Sequence, residues 1–140
     1  MATKKQRTTP TQVELEDQFA NVLNGLMPLP LQQWHREERP NGFIRQYTPF
    51  PHRRFRMDFA WPTYRLAIEV QGGVFSRGPG HTSVGGILRD MEKANLLVLN
   101  GWRCLYYTGK AVGLDTQHDF IAEVLQALEF DVQHRPRQRW

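Results

Sequence analysis

Apolar side chains recur at helical spacing from Thr11 to Leu26 and predict a first helix. The positions that form this pattern are Val13, Phe19, Ala20, Leu23 and Leu26. Thr11 can cap the helix, and Glu14 three residues later completes a capping box. A second helix is predicted from Ile87 to Leu99, with an apolar stripe formed by Ile87, Met91, Ala94 and Val98. A third is predicted from Asp119 to Phe130.

Two strands are predicted between these helices, from Arg53 to Ala60 and from Tyr64 to Val70. They form a hairpin around Trp61-Pro62-Thr63. The polar stretch through Asn41-Gly42 is either irregular or a weak early strand. Asn100-Gly101 ends the second helix, and a further strand is predicted from Trp102 to Thr108. The order of elements predicts an α/β fold with a mixed central sheet flanked by helices.

The length of 140 residues predicts one compact domain, residues 1–140, without room for a separate binding module. The content of 40% hydrophobic and 23% charged residues is typical of a globular protein, and no apolar run reaches the ~20 residues of a membrane span. Cys104 is the only cysteine and cannot form an intrachain disulfide. The start, Met1 to Thr11, lacks the apolar stretch of a secretory signal, so we expect a soluble, cytoplasmic protein.

The net charge is +4, and the basic residues are clustered. The clusters are Lys4, Lys5 and Arg7 in a basic N-terminal arm (1–10), Arg53, Arg54 and Arg56 in the middle, and Arg135, Arg137 and Arg139 in a C-terminal tail (131–140). Such clusters suit a polyanion such as DNA, because each phosphate contact releases counterions. The terminal clusters could equally be solvating tails, but the middle one directly precedes a carboxylate.

That carboxylate is Asp58, and Glu69 lies near the end of the next predicted strand. A carboxylate in a sheet core is costly unless a partner or a metal ion compensates its charge, so two on adjacent strands suggest a cation between them. Mg²⁺ prefers such oxygen ligands and Mn²⁺ can replace it. Alternation returns Gln71 to the face of Glu69. The alternative is that Asp58 pairs with Arg56 or Arg65 while Glu69 faces solvent.

The residues around these acids resemble the PD-(D/E)XK nucleases, in particular small phage and prophage enzymes related to Holliday junction resolvases and very-short-patch repair endonucleases. The resemblance covers roughly Glu16 to Thr108. It rests on Arg56 to Pro62, Ala67 to Gly73, His81-Thr82, Asp90, Glu92-Lys93, Asn95, Gly101-Trp102 and Thr108. The acid motif alone is weakly specific, whereas all of these residues in this order are a much more specific sign of the family. The resemblance implies a restriction-endonuclease-like core.

The resemblance also implies roles for individual residues. Asp58 and Glu69 would bind the metal with the main-chain carbonyl of Val70, and Glu16 would be an additional acid, unless it is an exposed helix charge. Gln71 stands where the family has a lysine, and an amide can neither deprotonate water nor carry positive charge. Lys93 on the second helix could replace that lysine, or Gln71 could ligate the metal. Lys93 could instead form a surface pair near Glu92 or Asp90.

The glycine-rich loop from Ser76 to Gly86 contains His81, which could protonate a leaving oxygen or hold a phosphate, or simply pack locally. Arg77 and Arg89 are candidate phosphate contacts. The aromatic residues Trp61, Trp102, Tyr106 and Tyr107 are expected mainly in the core, as is Cys104. No P-loop is present, so ATP is not expected as a cofactor.

We therefore expect a Mg²⁺-dependent crossover junction endodeoxyribonuclease that cuts four-way DNA junctions symmetrically as a homodimer, in a bacterial or phage-infected cell. Two alternatives stay open. One is a nicking endonuclease for mismatched or sequence-specific sites, and the other is a DNA-binding module whose catalytic centre has decayed.

Overall fold

The computed structural model describes residues 10–25, 42–72 and 84–134. Within these ranges the chain forms helix α1 (Gln12–Asn24), strands β1 (Ile44–Tyr47), β2 (Met57–Trp61) and β3 (Leu66–Val70), helix α2 (Val84–Leu99), strand β4 (Arg103–Tyr107) and helix α3 (Gln117–His134). Short 3₁₀ turns cover Pro62–Tyr64 and Gly109–Val112. The strands form a sheet of order β1-β2-β3-β4, antiparallel except for the parallel pair β3 and β4. The expected mixed sheet flanked by helices is thereby confirmed.

Helix α1 begins as predicted, since the Thr11 side chain accepts from the Glu14 amide at 3.2 Å and the Thr11 amide donates to Glu14 Oε2 at 2.8 Å. Its buried stripe consists of Leu15, Phe19 and Leu23, with a spacing of four residues. The prediction that Val13 belongs to this stripe is wrong, because Val13 lies half a turn away and is 67% exposed.

The hairpin of β2 and β3 is confirmed, but β2 begins at Met57 and not at Arg53. The preceding arginines follow a turn in which the Arg53 amide donates to Phe50 O at 3.1 Å. They therefore lie before the paired strand. Pro62–Tyr64 and Arg65, which has a left-handed φ of 45°, reverse the chain between the strands. Strand β1 is real, although its sequence pattern indicated at most a weak strand.

Helix α2 starts at Val84, three residues earlier than predicted, and its end is closed by Gly101, whose φ is 74°. The Gly101 and Trp102 amides return to Val98 O and Leu97 O, which completes the expected glycine cap. The apolar stripe predicted for this helix is wrong. Ile87, Met91 and Val98 are more than half exposed, and Leu97 is buried instead. Apolar residues occupy several faces of α2, so the sequence pattern could not choose among them.

The sheet separates two hydrophobic clusters. On one face α1 and α3 pack over Phe59, Trp61 and Ile68, and α3 contributes a buried stripe of Phe120, Val124 and Leu128. On the other face Leu97 and Trp102 pack against Met57, Ala60 and Ala67, with Cys104 partly buried beside them. None of the helices in the described ranges is long and apolar enough to cross a membrane.

Two smaller predictions need correction. Helix α3 runs from Gln117 to His134, so residues 131–134, predicted as part of the tail, are helical. Trp61 and Trp102 are buried and Tyr107 is partly buried as expected, but Tyr106 is 55% exposed. Strand β4 is an edge of the sheet, and its neighbours cover Tyr106 only in part.

Candidate active site

Asp58 and Glu69 lie on the same face of the sheet. The β2–β3 register pairs Phe59 with Ile68, and one further step places Asp58 opposite Glu69. Side-chain alternation gives the same result, because Ala60 and Ala67, two residues along each strand, both contribute to the second hydrophobic cluster. The two carboxylates predicted to share a cation are thus neighbours across paired strands.

The alternative contacts considered for these two acids are not formed. Asp58 Oδ2 accepts a hydrogen bond from the Val70 amide at 2.7 Å, whereas the Arg65 guanidinium donates to Asn100 O at 3.0 Å. The Glu69 side chain is only 13% exposed, so it does not face open solvent. Asp58 therefore connects the start of β2 to the end of β3, where both acids lie.

Lys93 reaches this site from α2. Its ammonium forms an ion pair with Glu69 Oε1 and donates to Arg56 O at 2.5 Å, and its side chain is 19% exposed. The alternative of a surface pair near Glu92 or Asp90 is wrong, because Glu92 pairs with Arg53 at 2.7 Å instead. Lys93 thus brings a positive charge to the acids from another element, one turn before the buried Leu97.

Asp58, Glu69 and Lys93 form a cluster of charged side chains, called the acidic cluster below, and Glu16 also belongs to it. It is 6% exposed, and its Oε1 accepts from the side-chain amide of Gln46. The same amide nitrogen lies 3.4 Å from Asp58 Oδ1. Glu16 is therefore not an exposed helix charge. It extends the cluster from the sheet to α1.

Burial and mutual repulsion shift the affinity of these acids for protons. Burial raises the pKa of Glu69 from 4.5 to about 7, and the nearby Asp58 adds to the rise while Lys93 opposes it. Burial, followed by Asp58, also raises the pKa of Glu16, and Arg45 opposes that rise. The protein thus holds carboxylates where their negative charge is unfavourable, which is the electrostatic setting of a cation site.

For a metal ion, the acidic cluster offers one carboxylate from β2 and one from β3, and Glu16 on α1 lies beside Asp58. In the part of the chain that the structure describes, no group of three or more His, Cys, Asp or Glu side chains has the arrangement of a metal site. Two carboxylates still suit Mg²⁺, which commonly keeps several waters and uses only one or two protein carboxylates. Asp58 retains acceptor capacity beyond its bond from Val70, because each carboxylate oxygen carries two lone pairs.

The other two predicted ligands follow Glu69 directly. The Val70 carbonyl accepts from the side-chain amide of Gln12 at 3.0 Å, which leaves it a second lone pair. Gln71 is exposed just beyond β3, and its backbone amide donates to Tyr107 O at 2.7 Å. The structure therefore joins Asp58, Glu69, Glu16 and Lys93 through direct contacts, and places Gln71 at the adjacent, open end of the strand.

The predicted DNA contacts are only partly described. Arg54, Arg56 and Arg89 are exposed, and Arg53 is engaged by Glu92. The Lys93 bond to Arg56 O attaches the arginine segment to the acidic cluster. The remaining predicted residues, Lys4, Lys5, Arg77 and His81, lie outside the described residues.

Sequence reasoning missed three residues of the cluster, namely Gln12, Gln46 and Arg45. Gln12 and Gln46 are neutral amides, which carry no signature of a catalytic or metal site. Arg45 pairs with Asp17 at 2.9 Å and lies over the Phe59 ring. The roles of Arg45 and Gln46 depend on β1 lying beside β2, and the sequence pattern around β1 was too weak to predict that pairing. The role of Gln12 depends on the packing of α1 at the end of β3.

Comparison with known proteins adds no relative. No protein-family model matches the chain, and neither a curated protein nor a solved structure matches it. The resemblance to PD-(D/E)XK nucleases therefore depends on the residues of this chain alone.

Proposed function

We propose that this chain is a metal-dependent DNA endonuclease of the PD-(D/E)XK type with a restriction-endonuclease-like core, directed at four-way or otherwise branched DNA. The observation that carries the proposal is the placement of Asp58 and Glu69 opposite each other on paired strands, on one face of the sheet, with the Lys93 ammonium on Glu69. The single ammonium of Lys93 offsets only one of the two negative charges, and such a pair of acids is unfavourable unless it serves to bind a cation.

Mg²⁺ or Mn²⁺ fits the donor set, because both acids offer hard oxygen ligands and neither is neutralised by arginine. Asp58 and Glu69 would hold the ion, with the Val70 carbonyl and Gln71 as further candidates. Once bound, such an ion stabilises the charge that develops on a phosphate under attack and promotes ionisation of water. Hydrolysis would break the P–O3′ bond and leave a 3′-hydroxyl and a 5′-phosphate.

Lys93 takes the role of the lysine that the motif lacks at Gln71. An ammonium can offset phosphate charge and orient a water by donating hydrogen bonds, whereas a glutamine amide carries no charge. The ion pair with Glu69 supports this assignment, because it places the positive charge at the acid beside Gln71. His81 stays in the proposal as a candidate proton donor to the leaving oxygen.

Exposed arginines next to the cluster support DNA as the substrate. Arg54 and Arg56 precede β2, and Arg56 is bonded through its carbonyl to Lys93. A phosphate backbone held by these arginines would lie beside Asp58 and Glu69. We propose four-way junctions because the residues of this chain resemble those of small enzymes related to Holliday junction resolvases, and a homodimer because paired active sites suit symmetric cuts.

The test compares wild type, Asp58→Asn and the matched control Asp115→Asn, which makes the same change in an exposed turn. Each is incubated with Mg²⁺ and a synthetic four-way junction, a nicked duplex, a mismatched duplex or a linear duplex. Paired symmetric cuts on the junction by wild type and the control, absent with Asp58→Asn, are expected. Single nicks in mismatched or linear duplex by a monomer would indicate the nicking endonuclease. Binding without cleavage by wild type would indicate the decayed module.

A further inference from the structure

Gln46 departs from strand geometry at the point where β1 meets the acidic cluster. Its φ of 52° is left-handed, which only glycine adopts without cost and which glutamine rarely adopts. The β1–β2 register pairs Arg45 with Phe59 and Tyr47 with Met57, so Gln46 occupies the intervening step opposite Asp58. An unfavourable backbone conformation persists only where surrounding contacts compensate for it.

The contacts that compensate for this backbone conformation are made by the Gln46 side chain. Gln46 Nε2 donates to Glu16 Oε1 and lies 3.4 Å from Asp58 Oδ1. A primary amide nitrogen carries two hydrogens, so one side chain can serve both carboxylates. Glu16 comes from α1 and Asp58 from β2, and their negative charges repel each other. Gln46 thus supplies the donor that lies between two acids from different elements.

We propose that Gln46 is a positioning residue, which holds the Glu16 carboxylate beside Asp58 so that its negative charge lies next to the divalent cation that Asp58 and Glu69 would bind. This inference rests on the proposed nuclease function. The amide suits the task because it is neutral. A lysine there would cancel the negative charge that attracts the cation, and a carboxylate would add repulsion.

The test measures Mn²⁺ binding to the free protein by calorimetry, without DNA. Gln46→Met keeps the length of the side chain but removes its donors. Gln46→Asn keeps the amide and tolerates a left-handed backbone, but its shorter side chain does not reach Glu16. Gln18→Met is the matched control, since Gln18 is exposed on α1. Unfolding in urea with EDTA establishes that each variant is folded.

We expect wild type and Gln18→Met to bind Mn²⁺ equally, and both Gln46 variants to bind about 10- to 100-fold more weakly, as is typical when a partner of a metal ligand is removed. Because Gln46 acts through Glu16, Glu16→Gln combined with Gln46→Met should bind no more weakly than Glu16→Gln alone. A general structural defect would instead give losses that multiply.

The inference is overturned if either folded Gln46 variant binds Mn²⁺ as tightly as wild type, or if the losses of the double variant multiply. Those outcomes leave the proposed function intact, provided that Asp58→Asn abolishes binding. If wild type and Asp58→Asn show the same absence of Mn²⁺ binding, the metal-dependent function itself fails, and the role of Gln46 fails with it.

Discussion

Glu69 should make the folding stability of the metal-free protein depend on pH, and Glu69→Gln should remove that dependence. The carboxylate is largely buried, with its side chain 13% exposed, and its pKa is raised from 4.5 to about 7 mainly by burial. Glutamine has nearly the same shape but does not titrate. Comparing the two proteins across pH reports on Glu69 together with its coupling to Asp58 and Lys93, because the other titrating residues are common to both.

The direction of the pH dependence follows from the protons that the folded and unfolded states bind. Between about pH 4.5 and about pH 7 the folded state retains the Glu69 proton and the unfolded state has lost it. The contribution of Glu69 to the free energy of unfolding is therefore fully present below about pH 4.5 and is lost as the pH rises through about 7. One pKa unit corresponds to about 1.4 kcal/mol, so the full difference between wild type and Glu69→Gln should change by about 3 kcal/mol over this range.

The assay is urea unfolding followed by tryptophan fluorescence, at several pH values from about 4.5 to about 8, with EDTA present. We expect the wild-type free energy to decline towards neutral pH relative to that of Glu69→Gln. If the two proteins instead show parallel curves, the Glu69 carboxylate is not held in an unfavourable setting. Adding Mg²⁺ at about 100 times its Kd should restore about 3 kcal/mol to wild type at neutral pH, and nothing comparable to the variant.

Two further predictions address the neighbours of Glu69. Lys93→Met should lower the rate of DNA cleavage by about 100-fold or more, since it removes a positive charge next to the reacting phosphate, whereas Lys110→Met in the turn after β4 should not. Equal cleavage by Lys93→Met and wild type would contradict the role of Lys93. Gly72→Ala should destabilise the fold by about 1 kcal/mol, because the added Cβ would collide with Gln12 Oε1 and displace the Gln12 amide from Val70 O. In urea unfolding, its effect should not add to that of Gln12→Ala, and full additivity would exclude this mechanism.

Local signals in the sequence predicted the elements that depend on local physics. The capping box of Thr11 and Glu14, the glycine cap at Gly101 and the hairpin around Pro62 all follow from hydrogen bonds and dihedral angles within a few residues. The presence of two acids on adjacent strands was also predicted from the sequence, but their shared face depends on the register between β2 and β3, which side-chain alternation along one strand does not set.

Signals that depend on distant parts of the chain were misread or absent. The predicted buried face of α2 was wrong because the helix has apolar residues on several faces. Only its packing against Ala60 and Ala67 decided that Leu97 is the buried residue. Strand β1 had too little pattern to be predicted firmly, since four largely exposed residues become a strand only by pairing with β2.

The sequence by itself predicted that two carboxylates would lie on adjacent strands and that Lys93 was available to replace the missing lysine. Tertiary structure alone decided that Lys93 turns inward to Glu69, that Glu16 is buried, and that Gln46 lies between Glu16 and Asp58. The physical reason is that these contacts join different elements. Their geometry depends on how the helices and β1 pack on the sheet, and no periodicity within one element encodes it.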